Sequence, residues 1–473
     1  MTDWYDYIII GSGPGGSVMA HELVRSGARC LMLEAGDRYH STDYPKNEMH
    51  ANTRLLWNGG MDLTEDAGLV LLRGKVLGGG SVVNQCLLDR FDDIAWQDWR
   101  EHSGVEFFDQ SAMEAHYRAI EEAIQLKSIP RDHWNRNASL YVEGFEKCGY
   151  HWAPLRRGQS RCTPEHDCIQ CLGGCQRDSK QSMPVTFLPR AEALGLRIET
   201  GCEVRTIHSS SSHVVVVAHQ RGQPKQFMAD KVVMAAGTLG TNEILLRSGF
   251  GRSHPSLGKG FYCHPQFMSL ADMRSRVDAH KGVLQAVKSD DETFRAQGFK
   301  LENVFAGPIA VAMLKQGGGF AHQAGMERYR ELACIEVAVR DVTPGVLTLK
   351  SDGRLSIQKR LGSEDWKRAR AGQQAIQAIF DAVGAQGVEH SPLKIGLHLM
   401  GGVALGSDPG KSALNPLFAL HHAPNVLVVD ASLFPLAPGI NPSLTIMALA
   451  HKAAAIQLHN QASTPVRKER VNA

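Results

Sequence analysis

The chain has 473 residues, a formal net charge of +2 at pH 7 and 43% hydrophobic residues, enough apolar material for two or three domain-sized cores. Its basic residues are scattered, which removes the electrostatic footprint that nucleic-acid binding needs, and no run is long and apolar enough to span a bilayer. The first apolar run is short, carries an acid on its charged side and has no small-residue cleavage site, so a cytoplasmic location is expected, with the ten cysteines reduced or metal-bound.

The chain opens as strand, turn and helix. Tyr5-Asp6-Tyr7-Ile8-Ile9-Ile10 runs into Gly11-Ser12-Gly13-Pro14-Gly15-Gly16, and the next strand, Cys30 to Leu33, ends on Glu34-Ala35-Gly36. Gly11 permits the tight turn, Gly13 lets backbone approach a pyrophosphate, and Gly16 lets the helix close on the strand. The helix start offers unpaired N–H groups to an anion, and Glu34 falls where a carboxylate accepts from ribose hydroxyls. Together these predict dinucleotide binding.

Further along, Arg73 to Leu77 leads into a second glycine cluster, Gly78-Gly79-Gly80-Ser81, followed by Asn84. Cys162, Cys168, Cys171 and Cys175 crowd into one short segment. Their spacing allows three readings: a reduced loop with packed thiols, an iron-sulfur centre, or zinc. Lys231 to Met234 is a buried strand ending in Ala235-Ala236-Gly237, small residues suited to a close ligand. Gly345 to Lys350 and Leu355 to Gln358 alternate as strands around a Ser351-Asp352-Gly353 turn, and Ser363 to Val383 has helical periodicity. Phe267, Met268 and Met313 are candidates for a pocket wall or for core. His421 and His422 precede the last strand and are expected to be solvated. That strand, Val426 to Val429, closes on Asp430-Ala431, and Asn441-Pro442 opens a helix from Leu444 to Ile456.

These stretches, in this order, resemble the glucose-methanol-choline oxidoreductases, the flavin enzymes that include cholesterol, choline and glucose oxidases, and within them the cholesterol-oxidase-like, bacterial FAD-dependent alcohol dehydrogenase branch. The resemblance implies an α/β fold, with a discontinuous Rossmann-like FAD-binding domain from residues 1–90, 190–262 and 420–473. A second, α+β substrate domain would be built on an antiparallel sheet from residues 91–189 and 263–419. It also implies FAD held by Gly11, Ser12, Gly13, Gly16, Glu34, Ala35, Gly36, Gly78, Gly79, Gly80, Ser81, Asn84, Val204, Ala236, Gly237, Asp430, Ala431, Asn441, Pro442 and Thr445. Relatives with covalent flavin carry histidine just before the asparagine of the second loop. Here Val83 stands in that place, so the FAD is expected to be non-covalent.

By the same resemblance His398, in Gly396-Leu397-His398-Leu399-Met400-Gly401-Gly402, is the active-site histidine, and Asn441 holds the second position. His398 would take the hydroxyl proton while hydride leaves the carbinol carbon for flavin N5, and Asn441 would orient the oxygen. His264 would shape the site. The expected substrate is a small-molecule alcohol, oxidised to an aldehyde or ketone. Relatives that keep FAD for a non-redox lyase reaction supply an alternative. So do complex-forming sugar dehydrogenases, whose comparable cysteines bind an iron-sulfur centre and pass electrons to a redox partner protein.

Overall fold

The computed structural model describes residues 4–162 and 171–462. Two sheets organise them. The first runs Ala419–Leu420, Ala423–Val428, Gln223–Met234, Trp4–Ile10, Cys30–Leu33, Arg197–Glu199. Trp4–Ile10 pairs in parallel with both of its neighbours, and Gln223–Met234 pairs in parallel with Ala423–Val428. Where these strands lie side by side, at residues 8–10, 232–234 and 426–428, they are apolar and fully buried, as expected of strands covered by helices; Pro14–Arg25 and Ser443–Ala462 pack against one another in the same core. Cys202–Ser209 and Val214–Gln220 extend Gln223–Met234 as an antiparallel meander. Their burial alternates, as expected of strands with one face in water.

The second sheet runs Asp62–Leu63, Val70–Leu71, Gly387–Gly401, Lys259–Asp272, Leu332–Val339, Phe299–Asn303, Val287–Ser289, Trp152–Pro154. Except for the contact between Gly387–Gly401 and Val70–Leu71, its pairings are antiparallel. Helix Ser363–Ala382 buries Ala369, Gly372, Ala375, Ile376, Ile379 and Phe380 against one face. Gly372 permits the contact, since a Cβ there would lie 2.2 Å from the Val337 side chain. The predicted hairpin is present as Gly345–Leu349 and Leu355–Gln358, attached to Lys259–Asp272.

Two stretches fall on the other side of the expected boundary. Asp62–Leu63 and Val70–Leu71 hydrogen-bond into the second sheet, although residues 1–90 read as nucleotide-binding. Helices Asp93–Ser103 and Gln110–Ala123 bury Trp96, Trp99, Met113 and Tyr117 in the core of the first sheet, although residues 91–189 read as substrate domain. The cause is side-chain reach: Trp99 donates to the Leu436 carbonyl, and the Tyr117 hydroxyl meets Thr445, both on the C-terminal stretch of the chain. Among the described residues, no helix is long and apolar enough to cross a membrane.

Candidate active site

A cavity of about 560 Å³ lies between the two sheets. On one side are the predicted glycine loops. Gly11 has a φ of +101°, and a Cβ on it would sit 2.2 Å from the Ala235 carbonyl oxygen; only glycine fits both conditions. Gly13 borders the cavity, and a Cβ on it would meet nothing within 4 Å. It also precedes the helix Pro14–Arg25 without making a side-chain cap. The first N–H groups of that helix are therefore available to an anion in the cavity.

Two buried acids bind the loops together. Glu34 accepts from Ser12 N at 3.0 Å, Ser12 Oγ at 2.5 Å and Gly36 N at 2.7 Å, while Ser12 Oγ accepts from Gly78 N at 2.8 Å. Asp430 Oδ2 accepts from Gly237 N at 2.9 Å and Thr241 Oγ1 at 2.5 Å, and its Oδ1 accepts from Ser432 N at 2.9 Å and Ser432 Oγ at 2.5 Å. Burial raises the pKa of both carboxyls, and these hydrogen bonds act against it. Both acids line the cavity, but their geometry is that of clamps between chain segments.

Of the residues assigned to the cofactor, Gly11, Ser12, Gly13, Glu34, Ala35, Gly79, Gly80, Asn84, Val204, Ala236, Gly237, Asp430, Ala431, Asn441 and Pro442 border the cavity. Gly16, Gly36, Gly78, Ser81 and Thr445 stand behind this wall. Ser81 Oγ donates to the Gly78 carbonyl and accepts from Met183 N, and Thr445 is fully buried against Tyr117. The residues present fit an FAD molecule: a glycine cradle, an uncapped helix start and two loops tied by acids border one cavity.

The second sheet supplies the opposite wall. Where Lys259–Asp272 pairs with Gly387–Gly401, the register shifts between Tyr262 and His264, so that His398 and Leu399 together oppose Cys263. His398 has a φ of +53°, which is strained for a non-glycine residue. A bulge of this kind re-aims side chains, and His398 borders the cavity, half-buried. Its Nδ1 is 3.0 Å from Nδ1 of the buried His264.

The tautomers follow from this hydrogen-bond chain. His264 Nε2 accepts from the Gly439 backbone N–H at 3.0 Å. Burial and the nearby charges hold His264 well below its ordinary pKa, so it is neutral and carries its one proton on Nδ1. That proton is donated to His398 Nδ1, which leaves the His398 proton on Nε2. Burial and the Lys300 charge push the His398 pKa down to about 3. Asn441 is oriented in a similar way: Lys300 Nζ donates to its Oδ1, so its amide N–H groups remain for other partners.

Beside these residues, the sheet carries a polar row that sequence reasoning missed. Lys300 Nζ lies 2.5 Å from Glu302 Oε1. Glu302 faces Glu336 directly across the strands, and Gln285 Nε2 donates to both at 3.2 Å. Burial, and then the neighbouring Glu302, raises the Glu336 pKa well above the carboxyl range. Glu336 therefore holds a proton, whereas Glu302 has the Lys300 charge beside it. A signal was present: Glu336 is the lone acid in the run Leu332-Ala333-Cys334-Ile335-Glu336-Val337-Ala338-Val339, where every residue is buried.

The rest of this wall is apolar. Met268, Leu270, Leu314, Leu393 and Ile395 border the cavity, as does the expected Met313, whereas Phe267 points into the core behind the sheet. His421 and His422 lie away from the cavity; His422 is exposed, and His421 is half-buried beside Ser412 Oγ.

In the cysteine segment, Cys168 lies outside the described residues. The other described cysteines are free thiols. Among the described residues, no group of three or more His, Cys, Asp or Glu side chains could hold a metal ion. Gln159 Nε2 approaches Cys171 Sγ at 3.8 Å, and Lys180 N approaches Cys175 Sγ at 3.5 Å. Buried Lys180 donates from Nζ to the carbonyls of Val82 and Asn84 at 2.5 and 2.9 Å and to that of Cys171 at 2.6 Å. It ties this segment to the second glycine loop.

A family profile described as GMC oxidoreductase matches residues 5–266, and a second of the same description matches residues 344–450. A long-chain-alcohol oxidase of Arabidopsis thaliana is 26% identical over 94% of this chain and 66% of its own length. A cholesterol oxidase of Acinetobacter baumannii is 24% identical over 95% of this chain and 93% of its own. Among solved structures, pyridoxine 4-oxidase from Mesorbium loti aligns with a TM-score of 0.76 at 18% identity, covering 96% of this chain and 99% of the other, a likeness of fold.

Proposed function

Because this chain belongs to the GMC oxidoreductase family of FAD-dependent enzymes, we propose that it oxidises an alcohol to an aldehyde or ketone in the cavity between its two sheets. The observation that carries this reading is that His398 and Asn441 border the same cavity as the glycine loops. FAD, when bound, supplies the hydride acceptor. Non-covalent binding is supported by the apolar Val83, which borders the cavity where a histidine would be needed for attachment.

The alcohol oxygen is held between His398 and Asn441. The family resemblance assigns the hydroxyl proton to His398, but the ring supports a different role. Its hydrogen-bond chain leaves an N–H on Nε2, and a group with a pKa near 3 is a weak base at neutral pH. His398 Nε2–H and the Asn441 amide N–H are two donors for one oxygen, which stabilises negative charge as it develops there. The hydroxyl proton goes to Glu302, whose side chain borders the same cavity beside Lys300, directly or through one water.

This assignment predicts the pH dependence. His398 remains neutral throughout the range between about pH 5 and 8 where an ordinary histidine titrates. The rate of flavin reduction by alcohol, measured by stopped flow, should therefore contain no ionisation near 6.5 that depends on His398. A limb there that disappears in His398→Asn would restore the ring to the role of base.

Anaerobic mixing of the purified, FAD-loaded protein with primary and secondary alcohols tests the function. Bleaching of the oxidised flavin band with carbonyl product is the expected result. Product without bleaching would make the protein a lyase, and bleaching only by a partner protein would make it an electron carrier. Oxygen uptake after readmitting air separates oxidase from dehydrogenase. For the cysteine segment we favour the reduced-thiol reading, because the three hydrogen bonds of Lys180 Nζ go to carbonyl oxygens and none to a thiolate. Iron and acid-labile sulfide in anaerobically purified protein should be absent; stoichiometric amounts would establish the iron-sulfur alternative and an electron exit to a redox partner.

A further inference from the structure

The cavity wall built by the second sheet is mixed in character, and its polar part is arranged for a particular kind of partner. Gln266 and Met268 lie on the central strand, on the same face as Glu336 of the neighbouring strand. Met268 pairs directly with Glu336, so Gln266 is the diagonal neighbour of Glu336. Gln266 is only 2% exposed, it borders the cavity, and its Oε1 has no hydrogen-bond partner. A buried amide oxygen left unpaired is costly, and a native fold keeps one where a ligand or water completes it.

Most neighbouring donors already have partners, and the Glu336 proton faces Glu302. Lys300 Nζ serves Glu302 and Asn441, and Gln285 Nε2 serves Glu302 and Glu336. What this corner offers to a newcomer is acceptor capacity: Gln266 Oε1 and the second lone pair of the Glu336 oxygen that receives Gln285. Its charges are balanced by the Lys300–Glu302 pair, so the corner calls for a neutral donor. Around it, Met268, Leu270, Leu393, Ile395 and Leu314 make the remaining surface apolar.

Resting on the alcohol-oxidation reading, we propose that Gln266 and Glu336 form a second substrate subsite that accepts a hydrogen bond from another hydroxyl of the substrate. The substrate class is then an apolar-bodied diol or polyol: one hydroxyl enters between His398 and Asn441, the other reaches Gln266 and Glu336, and the hydrocarbon part lies on the methionine and leucine wall. Gln266 and Glu336 act here in binding and specificity, with no share in the chemistry.

The subsite can be tested apart from the reaction by using tertiary alcohols, which have no carbinol hydrogen to lose. Calorimetric titration of the FAD-loaded protein would compare a tertiary alcohol with the same compound carrying a second hydroxyl, and with an amino analogue. The diol should bind about tenfold or more tightly than the mono-alcohol, as expected for one satisfied buried acceptor. Gln266→Leu should erase that advantage, and Glu336→Gln, which keeps an acceptor oxygen, should retain part of it. Equal binding of diol and mono-alcohol by the natural protein would overturn the proposal, and this holds even if a variant fails to fold. An advantage surviving in Gln266→Leu, or tighter binding of the ammonium analogue than of the diol, would overturn it as well. If oxidisable mono-alcohols still bleach the flavin in that event, the subsite falls and the enzymatic reading stands. If diols bind as proposed but no alcohol bleaches the flavin, the enzymatic reading falls alone.

Discussion

Replacing His398 with alanine is expected to slow reduction of the flavin by alcohol about 10²–10³-fold, the usual cost of removing one donor from a developing oxyanion, while the protein keeps its FAD. The two effects separate because His398 borders the part of the cavity built by the second sheet, whereas the glycine loops and their Glu34 and Asp430 clamps belong to the first. The ring is placed by a register shift and a left-handed backbone, which alanine adopts less readily than histidine. Anaerobic stopped-flow absorbance at saturating alcohol, with flavin content read from the oxidised spectrum, checks both halves. An unchanged rate would remove His398 from the chemistry, and loss of FAD would show that the two halves of the cavity are not separable.

Gly11→Ala should have the opposite signature. The residue lies at a φ of +101°, and the added methyl would fall 2.2 Å from the Ala235 carbonyl oxygen and 2.6 Å from its carbon, both backbone atoms. Neither can yield without moving the first strand or the strand beside it. Strain and overpacking of this kind cost on the order of 2–4 kcal/mol, which corresponds to roughly 30- to 1000-fold weaker cofactor binding if the loop shifts to relieve it. Ser12 would move with the loop, breaking its bonds to Glu34 and Gly78. The purified variant should be colourless at micromolar concentration and take up FAD only in large excess, as followed by flavin fluorescence quenching. A yellow, stoichiometrically loaded Gly11→Ala protein would show that this turn does not govern the cradle.

Much of the nucleotide side is legible in the amino-acid sequence, because its signals are local. The order Tyr5 to Glu34 is one continuous strand-turn-helix-strand, and at Gly11, Gly15 and Gly16 close backbone leaves no room for a Cβ. The same holds for the hairpin around Asp352 and for the helix from Ser363, where period alone is sufficient. The domain boundary is less legible. Nothing local in Asp62 to Leu71 says that it will add to the second sheet, and Trp96, Trp99 and Tyr117 declare themselves as core without saying which core. Contacts separated by hundreds of residues, such as Trp99 with Leu436 and Tyr117 with Thr445, decide the matter.

The chemistry is legible in identity and not in role. The positions of His398 and Asn441 can be read from motifs, but the tautomer of His398 depends on Gly439, His264 and Lys300, which come from three other parts of the chain. The Glu302–Glu336 row is invisible to motif reading because it is made by register: two acids on different strands become partners only when Phe299–Asn303 pairs with Leu332–Val339. Glu34 and Asp430 illustrate the same limit. Their positions match a ligand contact, and the hydrogen bonds show them occupied in holding loops together.

Separated stretches of the chain are expected to bring FAD against His398 and Asn441, and a crystal structure of the FAD-loaded protein tests this most directly. The isoalloxazine ring should lie in contact with both His398 and Asn441, with the pyrophosphate at Gly13 and the start of helix Pro14–Arg25. A flavin ring lying away from His398 and Asn441, or a pyrophosphate bound away from the first glycine loop, would contradict it.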